Sequence, residues 1–191
     1  MMPEGWRLEV HESLPSTSDH LISRAEAGEP QGLAVLARQQ TAGRGRQGRD
    51  WASCSGNLHV SLLLRPDEPA RVLPQWGLVA AVAVAEALGA LLPDPRSRPH
   101  LKWPNDVLIR GAKVAGMLVE GGLDNVAGVE WLVLGIGANL AWAPDVPGRS
   151  TTCLAAEGAG PVEPAEAACA LIARLDHWRL RRAAEGFEPV R

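Results

Sequence analysis

Short apolar runs in the middle of the chain predict the strands of one sheet. The runs are rich in Val, Leu and Ile and are bounded by Gly, Pro or Asn, which is typical of buried strands. They cover residues 33–37, 58–64, 107–109, 114–120 and 131–136. Several of these strands follow one another without a helix between them, so the pattern does not indicate a regularly alternating, doubly wound sheet.

Longer segments with helical spacing predict helices at residues 18–27, 77–92 and 164 to about 184. Ser16, Thr17 or Ser18 is the candidate N-cap of the first helix. The segment 77–92 is the longest apolar stretch, but Glu86 and Gly89 interrupt it, and a membrane span needs roughly 20 apolar residues. We therefore expect a buried core helix there and no membrane span.

These elements together predict an α+β fold, or α/β layers, in which helices flank a mixed β-sheet. The 191 residues are enough for one well-packed domain over residues 1–191 and too few for two large ones. Hydrophobic residues make up 46% of the chain and charged residues 21%, which argues against disorder. The segments 92–99 and 144–161 are rich in Pro and Gly and are predicted to be loops.

Charge and cysteine content narrow the classes of function. The net charge of -3 provides no global basic field, so any anion site must be local. The three cysteines form no Cys-x-x-Cys pair and the N-terminus lacks the apolar core of a signal peptide, which favours a cytoplasmic protein with reduced thiols. The five histidines show no metal-ligand spacing and are predicted to be surface or core residues.

The segment 39–51, with the sequence QQTAGRGRQGRDW, is the most informative part of the chain. Its glycines allow main-chain N–H groups to approach an anion, and each guanidinium offers a planar fork of donors to phosphate or carboxylate. Trp51 follows at the end of the segment and is able to stack on a flat base. The combination indicates a nucleotide site. A flexible solvated loop or an RNA-binding tract is the alternative, although RNA-binding Arg-Gly tracts are usually longer.

Two further motifs carry polar groups at strand ends. In Lys102-Trp103-Pro104-Asn105-Asp106 the proline stiffens a turn, so the amide and carboxylate that follow suit a ribose, a phosphate or a magnesium ion. Lys113 and Gly116 come shortly afterwards, and, taken alone, this cluster is better explained by a hairpin with a solvated lysine at its tip. The segment 134–140, with the sequence LGIGANL, closes a predicted strand, and its Gly-x-Gly is also compatible with a simple bulge.

Taken in order, these motifs closely resemble those of the catalytic domain of biotin protein ligases. The resemblance rests on Ser16-Thr17-Ser18, Gly43-Arg44-Gly45-Arg46-x-Gly48-Arg49-x-Trp51, Lys102-Trp103-Pro104-Asn105-Asp106, Lys113-x-Ala115-Gly116 and Gly135-x-Gly137-x-Asn139. It covers about residues 9–140, and Ser18 stands where the family commonly has Asn. It implies the fold shared by class II aminoacyl-tRNA synthetases and biotin–lipoate ligases.

The resemblance implies an ATP-dependent reaction that forms biotinyl-5'-AMP and then transfers biotin to one lysine of a biotin carboxyl carrier protein, as in acetyl-CoA carboxylase. The implied biotin-binding residues are Ser16, Thr17, Ser18, Gln40, Gly43, Arg44, Gly45, Arg46, Lys113, Gly116 and Gly137. The implied ATP- and AMP-binding residues are Arg44, Arg46, Arg49, Trp51, Asn105, Asp106, Lys113 and Asn139. Arg46 and Lys113 are the implied catalytic residues, Trp51 is expected to lie against adenine, and Asp106 is the implied ligand of Mg²⁺.

The sequences at the two ends of the chain bear on which further domains and partners are expected. No segment precedes the first strand that would fit a winged DNA-binding domain, so specific DNA binding is not expected. Residues 186–191 resemble the hinge into a small SH3-like C-terminal domain, which is expected to be absent here. A homodimer is expected from the family likeness. The alternatives left open are a lipoate or octanoate ligase or transferase of the same fold, and a non-enzymatic nucleotide- or RNA-binding module.

Overall fold

The protein is built around a single mixed sheet. The computed structural model describes residues 2–124 and 128–190. Within these residues the strands lie in the order β1-β2-β3-β7-β6-β5-β4. Their bounds are Arg7–Leu14 (β1), Leu33–Gln40 (β2), Leu58–Leu64 (β3), His100–Lys102 (β4), Asp106–Ile109 (β5), Ala112–Leu123 (β6) and Val129–Ala138 (β7). The β1–β2 pair is parallel and the other neighbours are antiparallel, which confirms the predicted mixed sheet.

Helices cover both faces of the sheet. Their bounds are Thr17–Glu26 (α1), Leu73–Gly89 (α2) and Pro164–Glu185 (α3). Because successive strand residues point to opposite faces, Leu33 and Val35 of β2 join a small core under α1, whereas Ala34 and Leu36 join the main core under α2 and α3. The predicted helices and flanking arrangement are therefore confirmed.

The helix α2 begins four residues before its predicted start, at Leu73. A helix over Ala70–Gly89 is long and apolar enough to cross a membrane by composition alone. Trp76, Val79 and Val84 of this helix are nevertheless buried in the main core, where α2 packs against α3 and β6. This packing accounts for its apolar character, as expected for a core helix.

A buried cation fixes α3 to the segment that precedes α2. Arg182 donates from Nε and Nη2 to the two carboxylate oxygens of Glu68, at 3.1 and 3.0 Å. Its guanidinium also lies 5.2 Å from the ring centre of Trp76, whose Nε1 donates to Glu68 at 2.9 Å. The Arg182 side chain is only 6% exposed, so these contacts take the place of the water that would otherwise solvate its charge.

We expect Arg182→Ala to lower the free energy of unfolding by about 1–2 kcal/mol, because it leaves a partly buried carboxylate without its cation. Arg181→Ala is the matched control, since Arg181 pairs with Glu185 on the helix surface and its side chain is 41% exposed. The control should change stability by less than about 0.5 kcal/mol. Urea unfolding of both variants measures the difference, and equal losses would contradict the assigned role of Arg182.

Candidate active site

Glycines form the floor of a cavity on the α1 face of the sheet. Gly116 of β6 pairs with Gly137 of β7, and Gly135 lies two residues earlier on the same face of β7. A Cβ atom at Gly137 would lie 2.3 Å from Cε2 of Trp51, and one at Gly135 would lie 2.4 Å from Oγ of Ser18. Side chains at these positions would fill the space that the indole and the hydroxyl occupy. The Gly-x-Gly motif therefore has a packing role here and is not a simple bulge.

Hydroxyl groups from the start of α1 form one wall of the cavity. The Thr17 backbone N–H and hydroxyl both donate to Oε1 of Gln40, at 2.8 and 3.1 Å. The hydroxyls of Thr17 and Ser18 lie 2.9 and 3.0 Å from Oγ of Ser61 on β3. Gln40 Nε2 donates to Ser53 at 3.2 Å, so the carbonyl oxygen of Gln40 is turned toward α1. This network holds donors and acceptors in fixed positions before any ligand binds.

Cationic groups form the opposite side. Lys113 Nζ lies 2.6 Å from Oδ1 of Asp106 and 5.3 Å from the ring centre of Trp51. The side chains of Lys113 and Asp106 are 20% and 22% exposed, so the lysine is not a solvated residue at a hairpin tip. Arg46 donates to Oδ1 of Asn105 at 3.2 Å, and Asn105 in turn donates to the carbonyl oxygen of Met117 on β6. The guanidinium N–H groups of Arg46 that do not bind Asn105 remain available to an anion.

The Gly-Arg segment folds into a narrow turn. The Gly45 N–H donates to the Arg49 carbonyl at 2.7 Å, and the Trp51 N–H donates to the Gly43 carbonyl at 2.9 Å. Arg44 reaches away from the turn to the two oxygens of Glu120, both at 3.0 Å, and to Asp19 at 2.5 Å. These carboxylates raise the pKa of Arg44, chiefly through the hydrogen bonds with Glu120. Arg44 thus ties the turn to β6 and α1.

Most of the predicted site residues meet at this cavity, whose volume is about 640 Å³. The predicted residues in its lining are Ser16, Thr17, Ser18, Gln40, Arg44, Gly45, Arg46, Arg49, Trp51, Asn105, Asp106, Lys113, Gly116 and Gly137. Gly43 and Asn139 lie outside the lining. Asn139 is 2% exposed and its amide donates to the Thr152 carbonyl at 3.0 Å, so it holds a loop in place and its position gives no support to a nucleotide contact.

The loop after β7 supplies lining residues that sequence reasoning did not identify. Gly148, Arg149 and Ser150 border the cavity. The Ser150 carbonyl accepts from the Lys113 N–H at 2.8 Å, and the Thr152 N–H donates to the Lys113 carbonyl at 2.9 Å. Arg149 therefore adds a further cation to the lining that Lys113 and Arg46 share. Its only sequence signal was a Gly-Arg-Ser step within a loop rich in proline.

Asp106 fits the predicted magnesium site as one carboxylate ligand. It contributes one carboxylate to the cavity, and Asp50 contributes another among the described lining residues. Mg²⁺ is commonly held by one or two carboxylates together with substrate phosphates. These two carboxylates suit an ion that binds together with a nucleotide. The ion pair between Asp106 and Lys113 places a carboxylate and an ammonium side by side in the cavity.

The glycine floor leads to a testable expectation. Gly137→Ala should weaken binding of the cavity's ligand by at least about tenfold, because the added methyl displaces the Trp51 indole and even small volume changes are costly in packed sites. Isothermal titration with biotin measures the loss. Gly77→Ala is the control, since its methyl would meet only Val119 at an ordinary 3.5 Å. Unchanged affinity in Gly137→Ala would show that the ligand does not need this floor.

The fold and cavity define a class of α+β enzyme in which a polar pocket and an arginine-rich turn share one face of a mixed sheet. The Biotin/lipoate A/B protein ligase family model matches residues 10–139. A biotin--[acetyl-CoA-carboxylase] ligase of Paracoccus denitrificans is 42% identical over 162 residues, which are 82% of this chain and 67% of that protein. The chain belongs to the Biotin/lipoate A/B protein ligase family.

Solved structures agree with this assignment. The chain is 30% identical to the biotin protein ligase of Aquifex aeolicus in complex with biotin and ATP, with a TM-score of 0.78 over 95% of this chain and 73% of that one. It is 29% identical to the Leishmania major enzyme in complex with biotinyl-5-AMP, with a TM-score of 0.78 over 96% of this chain and 81% of that one. The matched part spans about two thirds or less of the length of the first curated relatives.

Proposed function

We propose that this chain carries the catalytic domain of an ATP-dependent biotin protein ligase. The reaction forms biotinyl-5'-AMP from biotin and ATP and then transfers biotin to a specific lysine of a biotin carboxyl carrier protein. The observation that carries the proposal is the cavity itself, in which a wall of fixed hydroxyls faces Lys113 and Arg46 across a glycine floor. The identity with a biotin--[acetyl-CoA-carboxylase] ligase supports biotin over other acids.

The hydroxyl wall suits the ureido ring of biotin. That ring carries two N–H donors and one carbonyl acceptor. Each of these groups needs a hydrogen-bond partner when it is buried, because an unpaired one costs roughly 1–3 kcal/mol. Thr17, Ser18 and Gln40 present such partners in one network. The apolar thiophane ring and valeryl chain would lie along the floor at Gly137, beside the Trp51 indole.

The cations suit the first half-reaction. An oxygen of the biotin carboxylate attacks the α-phosphorus of ATP, and the bond from that phosphorus to the pyrophosphate oxygen breaks. Two anions must therefore approach each other, and negative charge builds up on the phosphoryl oxygens. Lys113 and Arg46 stabilise that charge electrostatically, with Arg49 and Arg149 nearby. Asp106 would hold Mg²⁺, which adds further positive charge at the phosphates.

In the second half-reaction the amine of the carrier lysine attacks the biotinyl carbonyl. The bond to the AMP phosphate oxygen breaks, AMP leaves, and the amine loses a proton as the amide forms. Lys113 and Arg46 remain close to the departing phosphate and stabilise it. Adenine contact with Trp51 and phosphate contact with Arg44 belong to this proposal, although Arg44 must first share or release its two carboxylates.

The remaining expectations are part of the same proposal. The domain would act in the cytoplasm on a carrier protein of the acetyl-CoA carboxylase type. A homodimer is proposed from the family likeness, and sedimentation with and without biotin tests it.

A ligand comparison separates biotin from the other acids of this family. We expect biotin to raise the melting temperature of the chain by several degrees at saturating concentration, and lipoate and octanoate to leave it within about one degree. Differential scanning calorimetry with each acid measures the shifts. A rise with lipoate and none with biotin would contradict the proposal. An RNA-binding module would instead respond to RNA, with a steep dependence on salt.

A further inference from the structure

Glu9, His11 and His20 form a cluster of metal-ligating side chains outside the lining of the cavity. Glu9 and His11 share one face of the edge strand β1, because side chains two residues apart point the same way. His20 faces them from α1. One ligand atom from each residue lies within 4.8 Å of the others. The sequence prediction that the histidines are plain surface or core residues overlooked this grouping.

Both imidazoles present a buried nitrogen that lacks a partner. Nε2 of His11 and Nε2 of His20 are hidden from solvent and make no hydrogen bond. The ring centres are 5.1 Å apart and the planes are inclined by 58°, so the rings are not stacked face to face. The His11 Nε2 lies 3.7 Å from Oε2 of Glu9, beyond hydrogen-bonding distance. Two buried nitrogens without partners call for an explanation, since such groups are normally satisfied.

The nearby charges are compatible with a cation. Arg24 donates to Glu9 at 3.3 Å, but its guanidinium is held mainly by Glu29 through Nε at 2.9 Å and through Nη2. The oxygen that Arg24 contacts is Oε2 of Glu9, which is also the one 3.7 Å from His11 Nε2, so Oε1 is the carboxylate oxygen that this hydrogen bond does not use.

We propose that Glu9, His11 and His20 bind a divalent transition metal ion of the Zn²⁺ class, with solvent completing the coordination. Two imidazole nitrogens and one carboxylate oxygen are a common ligand set for such an ion. Tetrahedral ligands around Zn²⁺ lie about 3.3 Å apart, so the present arrangement closes by side-chain movements of about 1 Å. The side chains of His11 and Glu9 are 32% and 40% exposed, so the same small movements open the buried Nε2 atoms to an ion.

A metal ion at this site would stabilise an element that borders the cavity. An ion bound here joins β1 to α1, and the first turn of α1 carries the hydroxyl wall of the cavity. Metal binding is therefore expected to stabilise the helix that holds Thr17 and Ser18. Binding at this site does not require the proposed ligase activity, because Glu9, His11 and His20 lie outside the cavity lining.

Titration of the full chain with Co²⁺, followed by competition with Zn²⁺, tests the site. We expect one equivalent of Co²⁺ to produce visible d–d bands without a thiolate charge-transfer band, and Zn²⁺ to abolish them. A hundredfold excess of Zn²⁺ over its dissociation constant should raise the melting temperature by about 5–10 °C, reversibly with a chelator. His20→Ala and His11→Asn should each weaken binding by at least about tenfold.

The matched control is His177→Ala, which removes an exposed histidine on α3 and should leave metal affinity unchanged. Circular dichroism of each metal-free variant checks that the fold is retained, and His11→Asn on the edge strand provides a second variant if His20→Ala does not fold. The proposal is overturned if wild type shows no saturable binding, if either histidine variant binds like wild type, or if thiolate bands reveal a cysteine site.

Discussion

Lys113→Ala is expected to slow the formation of biotinyl-5'-AMP by about 10²–10³-fold, comparable with the loss of one donor to a developing oxyanion. Lys113 lines the cavity, and its ammonium is paired with Asp106 and lies 5.3 Å from the ring centre of Trp51. In the proposed reaction the biotin carboxylate meets the α-phosphate beside this ammonium, whose compact charge would offset the repulsion between the two anions. Rapid-quench measurement of pyrophosphate release gives the rate.

Two further variants sharpen this prediction. Lys113→Arg should recover only part of the rate, because a planar guanidinium does not replace a compact ammonium beside Asp106. Arg181→Ala removes a distant exposed cation and should keep the rate within about twofold. Wild-type rates of pyrophosphate release in Lys113→Ala would remove Lys113 from the mechanism.

Loss of Lys113 should also have a measurable effect on stability. A lysine at a solvated turn would contribute less than about 0.5 kcal/mol. The structure instead shows a half-buried ion pair, so Lys113→Ala leaves Asp106 without its partner and should cost about 1 kcal/mol. This loss is too small to unfold the chain, and the rate effect can therefore be measured on folded protein.

Arg46→Ala is expected to increase the escape of biotinyl-5'-AMP by about 10–100-fold, since a charged hydrogen bond to phosphate contributes roughly 1.5–3 kcal/mol. The Arg46 side chain is exposed and, among the described residues, donates to Asn105, so most of its donors remain available to a ligand. Stopped-flow dissociation of preformed adenylate measures the escape rate. Arg46→Lys should restore only part of the affinity because it cannot bind phosphate with two parallel bonds.

Arg44→Ala provides an informative comparison with Arg46→Ala. Arg44 is already held by Glu120 and Asp19, so its removal should loosen the turn between Gly43 and Trp51 more than it removes a phosphate contact. Its loss should therefore affect thermal stability as well as adenylate retention. Unchanged adenylate retention in Arg46→Ala would mean that the arginine-rich turn has another role.

The sequence predicts the central strands and the helices well because their apolar residues are buried in the sheet and its flanking layers. The bounds of β3 agree with the prediction residue for residue. The apolar-run analysis does not identify β1 and β4, because edge strands bury few side chains and all three residues of β4 are exposed. Local hydrophobic patterning carries little information about such strands.

The sequence predicts those parts of the site whose motifs lie at the ends of neighbouring strands and helices. The Gly-Arg turn, Asn105-Asp106 and Lys113 meet because β6 and β7 bring their glycines under Trp51. The contribution of Arg149 depends on backbone hydrogen bonds between its loop and Lys113, which no local pattern reveals. The approach of His11 to His20 likewise depends on how α1 packs beside β1, and not on their spacing along the chain.

The most direct test of the ligase proposal is mass spectrometry of the products formed from biotin, ATP and Mg²⁺. The account predicts biotinyl-5'-AMP and pyrophosphate in equal amounts. It also predicts that a biotin carboxyl carrier protein added afterwards gains one biotinyl group on a single lysine, with release of AMP. Absence of biotinyl-5'-AMP, together with an adenylate formed from lipoate or octanoate, would contradict the account.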